Sequence, residues 1–306
     1  MNDRTAPRSI EQYLAALREA LAGEDPALVQ DALYDAEEYL RAEVAANAGR
    51  SEADTLELIA STYGAPEEVA AAYRTTEKQL RTALAPPPRK AARTALGRFF
   101  GVYGDSRTWT ALFFMLLSLV TGIVYFTTTI AGLSISAGLL VLIIGIPFFL
   151  LFVGFTRVLA LAEGRLIEGL LGERMPRRPV YPSKGTPIFE RIKQMLTDRR
   201  TWTTMFYFLV MLPLGILYFT IAISGVSIGL GLTLGSVAGL LLDAGVGSGG
   251  ISLDDGVYFA PSPALAPVIF VFGILFLTAV LHLVRGIGRV HGNFAKHLLV
   301  ARADPA

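Results

Sequence analysis

A run of 46 residues without a single charge, Ala111 to Thr156, constrains this chain more than any other feature. A bilayer core of about 30 Å takes roughly 20 helical residues, so the run fits two membrane spans and a turn, which we expect at Ala131–Ser134. Two further uncharged stretches follow, Thr203–Leu242 and Gly256–Leu281. We therefore predict four spans, at about residues 110–131, 136–156, 203–225 and 264–284.

Composition agrees with membrane residence and excludes some chemistry. Hydrophobic residues make up 53% of the chain and charged residues 17%, which is apolar for a soluble protein. The chain has no cysteine, so disulfides, thiolate metal sites and cysteine nucleophiles are excluded. The N-terminus lacks the apolar segment of a cleavable signal peptide. Insertion must therefore depend on the spans themselves.

The bases predict how the spans are oriented, because Lys and Arg near span ends favour the cytoplasmic side. Of the 27 bases, 13 precede the first predicted span, 10 lie between the second and third, and four follow the last. We expect a multi-pass protein of the bacterial cytoplasmic membrane with both termini in the cytoplasm. Residues 226–263 are then outside, and their polar side chains are the candidates for signal sensing: Asp243, Asp254, Asp255 and Tyr258.

One part of the outside segment is ambiguous. Ser227–Leu242 is apolar enough to be a span, but a fifth span would move the C-terminal bases outside, so we expect an extension of span three or a re-entrant piece. Small residues at a spacing of four let helices approach closely. Packing within the chain and self-association into a homo-oligomer both remain open for the glycines here, which are Gly225, Gly229, Gly231, Gly235 and Gly239.

The membrane half contains an internal repeat, at residues 105–174 and 198–302. Asp105-Ser-Arg-Thr-Trp109 matches Asp198-Arg-Arg-Thr-Trp202 at an offset of 93 residues, and Arg157 and Gly164 match Arg285 and Gly292 at an offset of 128. The second copy therefore carries an insertion of about 35 residues between its spans. With two spans in each copy, both should enter from the same side as parallel repeats.

Four aromatic residues recur at equivalent positions of the copies. Trp109 and Trp202 open spans one and three, and Tyr125 and Tyr218 follow 16 residues later. That separation is about 24 Å along a helix, and Trp and Tyr are enriched at both membrane interfaces. We expect all four side chains to be interfacial anchors.

Residues 1–80 predict a small, acidic helical domain, and a proline-rich basic linker, 81–104, separates it from the membrane. The domain has 16 acids and 7 bases, a net charge of −9 that disfavours direct nucleic-acid binding. Helix starts are predicted at Ser9, Asp25 and Ser51, and a stop at Gly64. The core is small, so the domain is expected to bind a cytoplasmic protein partner.

Two family resemblances cover nearly the whole chain. The N-terminal pattern resembles the HAAS family of helical signalling domains, through Tyr13-Leu-x-x-Leu17, Asp35-x-Glu37-Glu38-Tyr39 and Tyr63-Gly64-Ala-Pro66. The membrane half is similar to the sensor domain at the front of many bacterial histidine kinases. That second likeness is carried by Gly122-Ile-Val-Tyr125-Phe126, Ala162-Glu163-Gly-Arg165, Leu170-Leu-Gly172 and Leu281 to Gly292.

The resemblances imply an all-α signalling protein, with a helical bundle ahead of four transmembrane helices. HAAS domains are expected to work beside PadR-like winged-helix transcription factors. About twenty residues follow the last predicted span, so we expect no kinase transmitter in this chain. We expect a membrane sensor or adaptor that signals through a separate regulator.

No catalytic, cofactor or metal site is evident from the sequence. His282, His291 and His297 are expected to make polar contacts near the membrane, and Asp254-Asp255-Gly256 lacks the spacing of a calcium loop. No nucleophile–base pair is visible, so we do not expect an enzyme. A transporter, or a lipid-interacting protein for an uncharged substrate, is the alternative, and the absence of ionisable residues inside the predicted spans weakens it.

Overall fold

The computed structural model describes residues 7–84, 94–142, 144–177, 193, 196–244 and 264–300. Within these ranges every regular element is helical, which confirms the all-α class. The N-terminal domain consists of four helices: α1 (Ile10–Ala20), α2 (Pro26–Ala46), α3 (Glu52–Thr62) and α4 (Pro66–Leu84).

Side-chain caps start these helices at the predicted residues. The Ser9 hydroxyl, an Asp25 carboxylate oxygen and the Ser51 hydroxyl each accept a backbone N–H of the first helical turn, which satisfies a donor that the helix itself leaves unpaired. Gly64 follows α3 with a φ of +107°, a conformation that only glycine adopts readily. The four helices then bury a core that includes Tyr13, Leu17, Leu21, Leu40, Leu56 and Ile59.

The membrane half begins with a short helix, α5 (Ala95–Phe100), and a 3-10 turn at Gly101–Gly104. Of the predicted linker, residues 85–93 lie outside the described part. Four long helices follow: α6 (Ser106–Leu139), α7 (Gly145–Leu171), α8 (Arg199–Asp243) and α9 (Ala266–Leu299). All four are long and apolar enough to cross a membrane, so the described chain has the predicted number of spans.

Two helix boundaries differ from expectation. The turn between spans one and two is not at Ala131–Ser134, because α6 continues to Leu139 and reverses through a 3-10 turn at Leu140–Leu142. Gly132 lies within α6 against the Phe152 ring, where any side chain would collide. The ambiguous stretch Ser227–Leu242 is an extension of span three, since α8 is one continuous helix.

The two copies of the repeat make matching contacts. Trp109 Nε1 donates to the Tyr103 carbonyl at 2.8 Å, and Trp202 Nε1 donates to the Leu196 carbonyl at the same distance. Two ion pairs also match, and each crosses from one copy to the other: Arg157 with Asp198 at 3.2 Å and Arg285 with Asp105 at 3.1 Å. The second helix of each copy is thus held to the start of the other copy.

Where α6 and α8 pack, their contacts run in opposite directions along the two helices. Moving along α6 from Ser118 to Gly122 to Tyr125, the contacting residue of α8 moves back from Gly215 to Met211 to Phe208. Helices α6 and α8 therefore run antiparallel where they pack. The side from which each copy enters a membrane stays a prediction.

Glycines permit this close packing. A Cβ on Gly122 would lie 2.6 Å from the Met211 carbonyl oxygen, and one on Gly215 would collide with the Ser118 carbonyl. Of the predicted packing glycines, Gly225 faces Val280 and Gly229 faces Leu277. The next two glycines of the series, Gly231 and Gly235, face open space, and Gly239 is half-buried.

Candidate functional site

A carboxylate lies fully buried in the middle of the bundle. Glu163 is on α7, and its side chain has no exposed surface. It lies beyond the predicted span two, yet inside the long apolar helix Gly145–Leu171. Ionisable residues within membrane helices are costly and usually mark functional sites. Glu163 is therefore the first member of the candidate site.

Two tyrosine hydroxyls satisfy both oxygens of this carboxylate. Tyr125 of α6 donates to Oε2 at 2.9 Å, and Tyr207 of α8 donates to Oε1 at 2.7 Å. Exclusion of water strengthens hydrogen bonds in such a site. Three different helices are therefore tied together at Glu163.

A buried histidine of α9 extends the network. His291 Nε2 lies 3.1 Å from the Tyr207 hydroxyl, and Nδ1 lies 3.2 Å from the Tyr218 hydroxyl. Because Tyr207 gives its proton to Glu163, its oxygen accepts from Nε2–H, and Tyr218 donates to Nδ1. This tautomer is assigned from the network, and it completes one directed chain of donors from Tyr218 to Glu163. We call these five residues (Tyr125, Glu163, Tyr207, Tyr218 and His291) the polar cluster.

Aromatic rings enclose the polar cluster. Phe208 stacks on Tyr125 with ring centroids 4.6 Å apart, and Phe114 lies 4.8 Å from His291. Phe294 packs against both Tyr207 and His291. In such surroundings an unmatched donor or acceptor is expensive, so a proton added or removed must be accommodated by reorganising hydrogen bonds.

The polar cluster follows the internal repeat. Glu163 and His291 are separated by the same 128 residues as Arg157 and Arg285, and Tyr125 and Tyr218 by the same 93 residues as the tryptophans. The repeat therefore places an acid in one copy where the other has a base. Aligning the residues next to Gly164 and Gly292 would have revealed this pair, which the search for uncharged spans overlooked.

The predicted interfacial tyrosines belong to this interior site. Tyr125 is 4% exposed and Tyr218 is 8% exposed, so both are corrected from membrane anchors to members of the polar cluster. They are buried because α6 and α8 pack antiparallel across the bundle centre. Trp109 and Trp202 are about half exposed, as an interfacial role requires, and their anchoring role stays a prediction.

Only one of the four candidate sensing residues lies in the described part of the chain. Asp243 is the last residue of α8, while Asp254, Asp255 and Tyr258 lie outside the described residues. Of the other histidines, His282 Nε2 lies 2.9 Å from the Phe99 carbonyl oxygen, and His297 bonds within its own helix. Among the described residues, no three His, Asp or Glu side chains are grouped so as to hold a metal ion.

The N-terminal domain is clasped to the ends of α7 and α9, close to the polar cluster. Lys296, five residues after His291, pairs with Asp25 at the start of α2 at 2.6 Å. Ala27 of α2 belongs to the same apolar core as Tyr125, Tyr207 and Leu299. The domain and the cluster therefore share one packed interior.

A second ion-pair group holds the domain to the end of α7. Arg174 pairs with Asp31 of α2 at 3.0 Å and with Glu77 of α4 at 2.7 Å, and all three side chains are nearly buried. The Arg177 backbone N–H donates to Asp31 at 2.7 Å. A hydrogen bond with Glu168 raises the pKa of Arg177 above its ordinary value. Two helices of the domain thus depend on one arginine.

Comparison with known proteins identifies the membrane half. A family profile described as "Putative sensor" matches residues 114–299, which is more than half of the chain and includes every member of the polar cluster. No curated protein and no solved structure matches the chain.

Proposed function

Because this chain belongs to the Sensor family and has four membrane-compatible helices, we propose that it is a membrane-embedded sensor or adaptor. It relays an envelope or membrane signal to a separate cytoplasmic regulator through residues 1–80. The observation that carries this proposal is the set of ion pairs that joins the N-terminal domain to the chain segments bearing Glu163 and His291. We call this set the clasp; it consists of Asp25 with Lys296, and of Asp31 and Glu77 with Arg174.

The clasp gives a physical route for the signal. Glu163 is on α7 and Arg174 follows three residues after the end of that helix, while His291 and Lys296 are both on α9. A shift of either helix therefore moves a residue of the polar cluster and a residue that pairs with the N-terminal domain. Packed interfaces respond to small shifts by switching between discrete arrangements rather than deforming continuously. A stimulus that separates α7 from α9 would therefore release or reorient α2.

The output is proposed to be protein binding. The net charge of −9 in residues 1–80 favours a basic protein surface over nucleic acid, and the HAAS-like pattern supports a PadR-like transcription factor. Affinity capture of the full chain from native membranes tests this. The Arg174→Ala and Lys296→Ala variants should change the amount of recovered regulator. If neither the parent chain nor either variant recovered a regulator, the proposal would be contradicted.

The proposed location is the bacterial cytoplasmic membrane with both termini inside. The chain lacks cysteine, so single cysteines introduced at Ser9, Ser252 and Ala303 can be labelled with a membrane-impermeant maleimide. We expect Ser252→Cys to react in intact spheroplasts, and the terminal variants to react only after permeabilisation. Labelling of Ala303→Cys in intact spheroplasts would contradict this topology.

Transport is the second candidate, and the polar cluster favours it more than the sequence did. Buried acids and histidines form proton relays in many transporters, and the cluster is a continuous donor chain. Flux of an uncharged substrate or of protons into proteoliposomes, reduced by Glu163→Gln, would support transport. Sealed vesicles without any saturable flux would leave the sensor proposal as the better one.

Self-association is also proposed, through the glycines that the bundle does not use. Gly231 and Gly235 have no neighbouring atom near an added Cβ, so a second copy could approach there. Gly231→Leu should reduce crosslinked dimers in native membranes. Unchanged dimer yield would contradict this.

A further inference from the structure

A small, partly open cavity lies between α7 and α8, away from the polar cluster. Its volume is about 20 Å³, and its polar lining consists of Arg157, Arg200 and the three threonines Thr156, Thr201 and Thr204. This space holds roughly one water-sized group. A single oxygen atom of a larger molecule fits, and a whole solute does not.

Two donors at this cavity are buried without a hydrogen-bond partner. They are Arg200 Nη1 and Thr201 Oγ1, and the Thr201 side chain is only 5% exposed. A buried donor left unsatisfied costs about 1–3 kcal/mol, and more when it is charged. Both atoms therefore need a hydrogen-bond acceptor that the described residues do not supply.

The charge at the cavity selects a negative acceptor. Arg157 is paired with Asp198 at 3.2 Å, and the other Asp198 oxygen accepts the Arg200 backbone N–H at 3.0 Å. The side chains that line the cavity thus include two guanidinium groups and no carboxylate. Guanidinium groups match phosphate oxygens in geometry and charge.

The surroundings indicate that the phosphate comes from a lipid. Phe155, Val158 and Phe206, which flank the cavity residues along α7 and α8, are each about half exposed, as is Trp202. Exposed apolar side chains on a membrane helix offer a surface for acyl chains, and Trp marks the headgroup level. We propose that this cavity binds a phosphate oxygen of an anionic phospholipid headgroup.

The other copy of the repeat provides a matched control. Val284 replaces Thr156 there, Ala111 replaces Thr204, and Arg107, the equivalent of Arg200, is exposed. Thr108, the equivalent of Thr201, is likewise buried with an unpartnered hydroxyl, so the first site differs by the hydroxyls of Thr156 and Thr204 and by its inward arginine. A variant at Arg107 removes the same charge without touching the cavity.

Native mass spectrometry of the full chain in detergent tests the proposal, with phosphatidylglycerol and phosphatidylcholine as probes. We expect Arg200→Met to weaken phosphatidylglycerol binding about tenfold, the loss of one charge-assisted contact, and Thr201→Val to weaken it several-fold. Arg107→Met and Thr108→Val should bind like the parent, and phosphatidylcholine should bind weakly throughout.

Three results would overturn the lipid site. The first is unchanged phosphatidylglycerol binding by Arg200→Met, and the second is an equal loss in Arg107→Met. The third is stabilisation of the parent chain by inorganic phosphate as strongly as by phosphatidylglycerol, which would assign the cavity to a soluble anion. If Arg200→Met does not fold, the nearly isosteric Thr201→Val and the small change Thr204→Ala replace it. Unchanged phosphatidylglycerol binding by both would then overturn the lipid site.

Discussion

Glu163 and His291 occupy equivalent positions of the two copies and meet at a single hydroxyl, that of Tyr207. The oxygen of Tyr207 lies 2.7 Å from Glu163 Oε1 and 3.1 Å from His291 Nε2. An acid and a base from the two halves are therefore linked through one proton donor at the centre of the bundle.

Glu163→Gln should destabilise the membrane half. The amide of glutamine keeps one acceptor but presents a donor to the other tyrosine, so one buried hydroxyl loses its partner at a cost of about 1–3 kcal/mol. Thermal unfolding in detergent, followed by near-ultraviolet circular dichroism, measures this. Glu168→Gln, on the same helix but partly exposed, should cost about 1 kcal/mol or less. Equal losses would argue against the network.

Tyr207→Phe should be more harmful than Tyr125→Phe. Removal of the Tyr207 hydroxyl breaks the contacts to both Glu163 and His291, whereas removal of the Tyr125 hydroxyl breaks one. Each lost contact in this dry setting is worth about 1–3 kcal/mol. Unfolding free energies of the two variants and of their double mutant would show the coupling. A larger loss for Tyr125→Phe would contradict the directed chain of donors.

Arg174→Ala should loosen the N-terminal domain. Removing one partner from a buried ion pair costs about 3–5 kcal/mol, because the remaining charges stay buried, and here both Asp31 and Glu77 are affected. Hydrogen exchange of α2 and α4 should rise while that of α6 stays low. Arg41→Ala, which breaks the exposed pair with Glu37, is the control and should leave exchange nearly unchanged. Unaltered protection in Arg174→Ala would contradict the clasp.

Gly122→Ala should disturb the packing of α6 against α8. The new methyl group would lie 2.6 Å from the Met211 carbonyl, and overpacking of this kind costs about 1–3 kcal/mol. Gly154→Ala has open space around the added atom and should be neutral or stabilising by up to about 1 kcal/mol, since alanine favours helix. Melting temperatures of the two variants compare the positions directly. A Gly122→Ala variant as stable as Gly154→Ala would contradict the close approach.

The sequence by itself determined the helical class, the number of spans, the caps at Ser9, Asp25 and Ser51, and the repeated residues. These features depend on local chemistry: an uncharged run of sufficient length has no alternative in a bilayer, and a capping side chain bonds within its own turn. The repeat is recognised from identical residues at a fixed offset in the sequence.

Only the tertiary structure decided what the repeat builds. Tyr125 and Tyr218 have the spacing of interfacial anchors, yet antiparallel packing of α6 and α8 carries them inside to Glu163 and His291. Length and polarity cannot reveal this, because they describe each helix alone. The partner of each helix face is set by close backbone contacts, such as Gly122 with Met211, and those contacts place an acid and a base, 128 residues apart in sequence, around one hydroxyl.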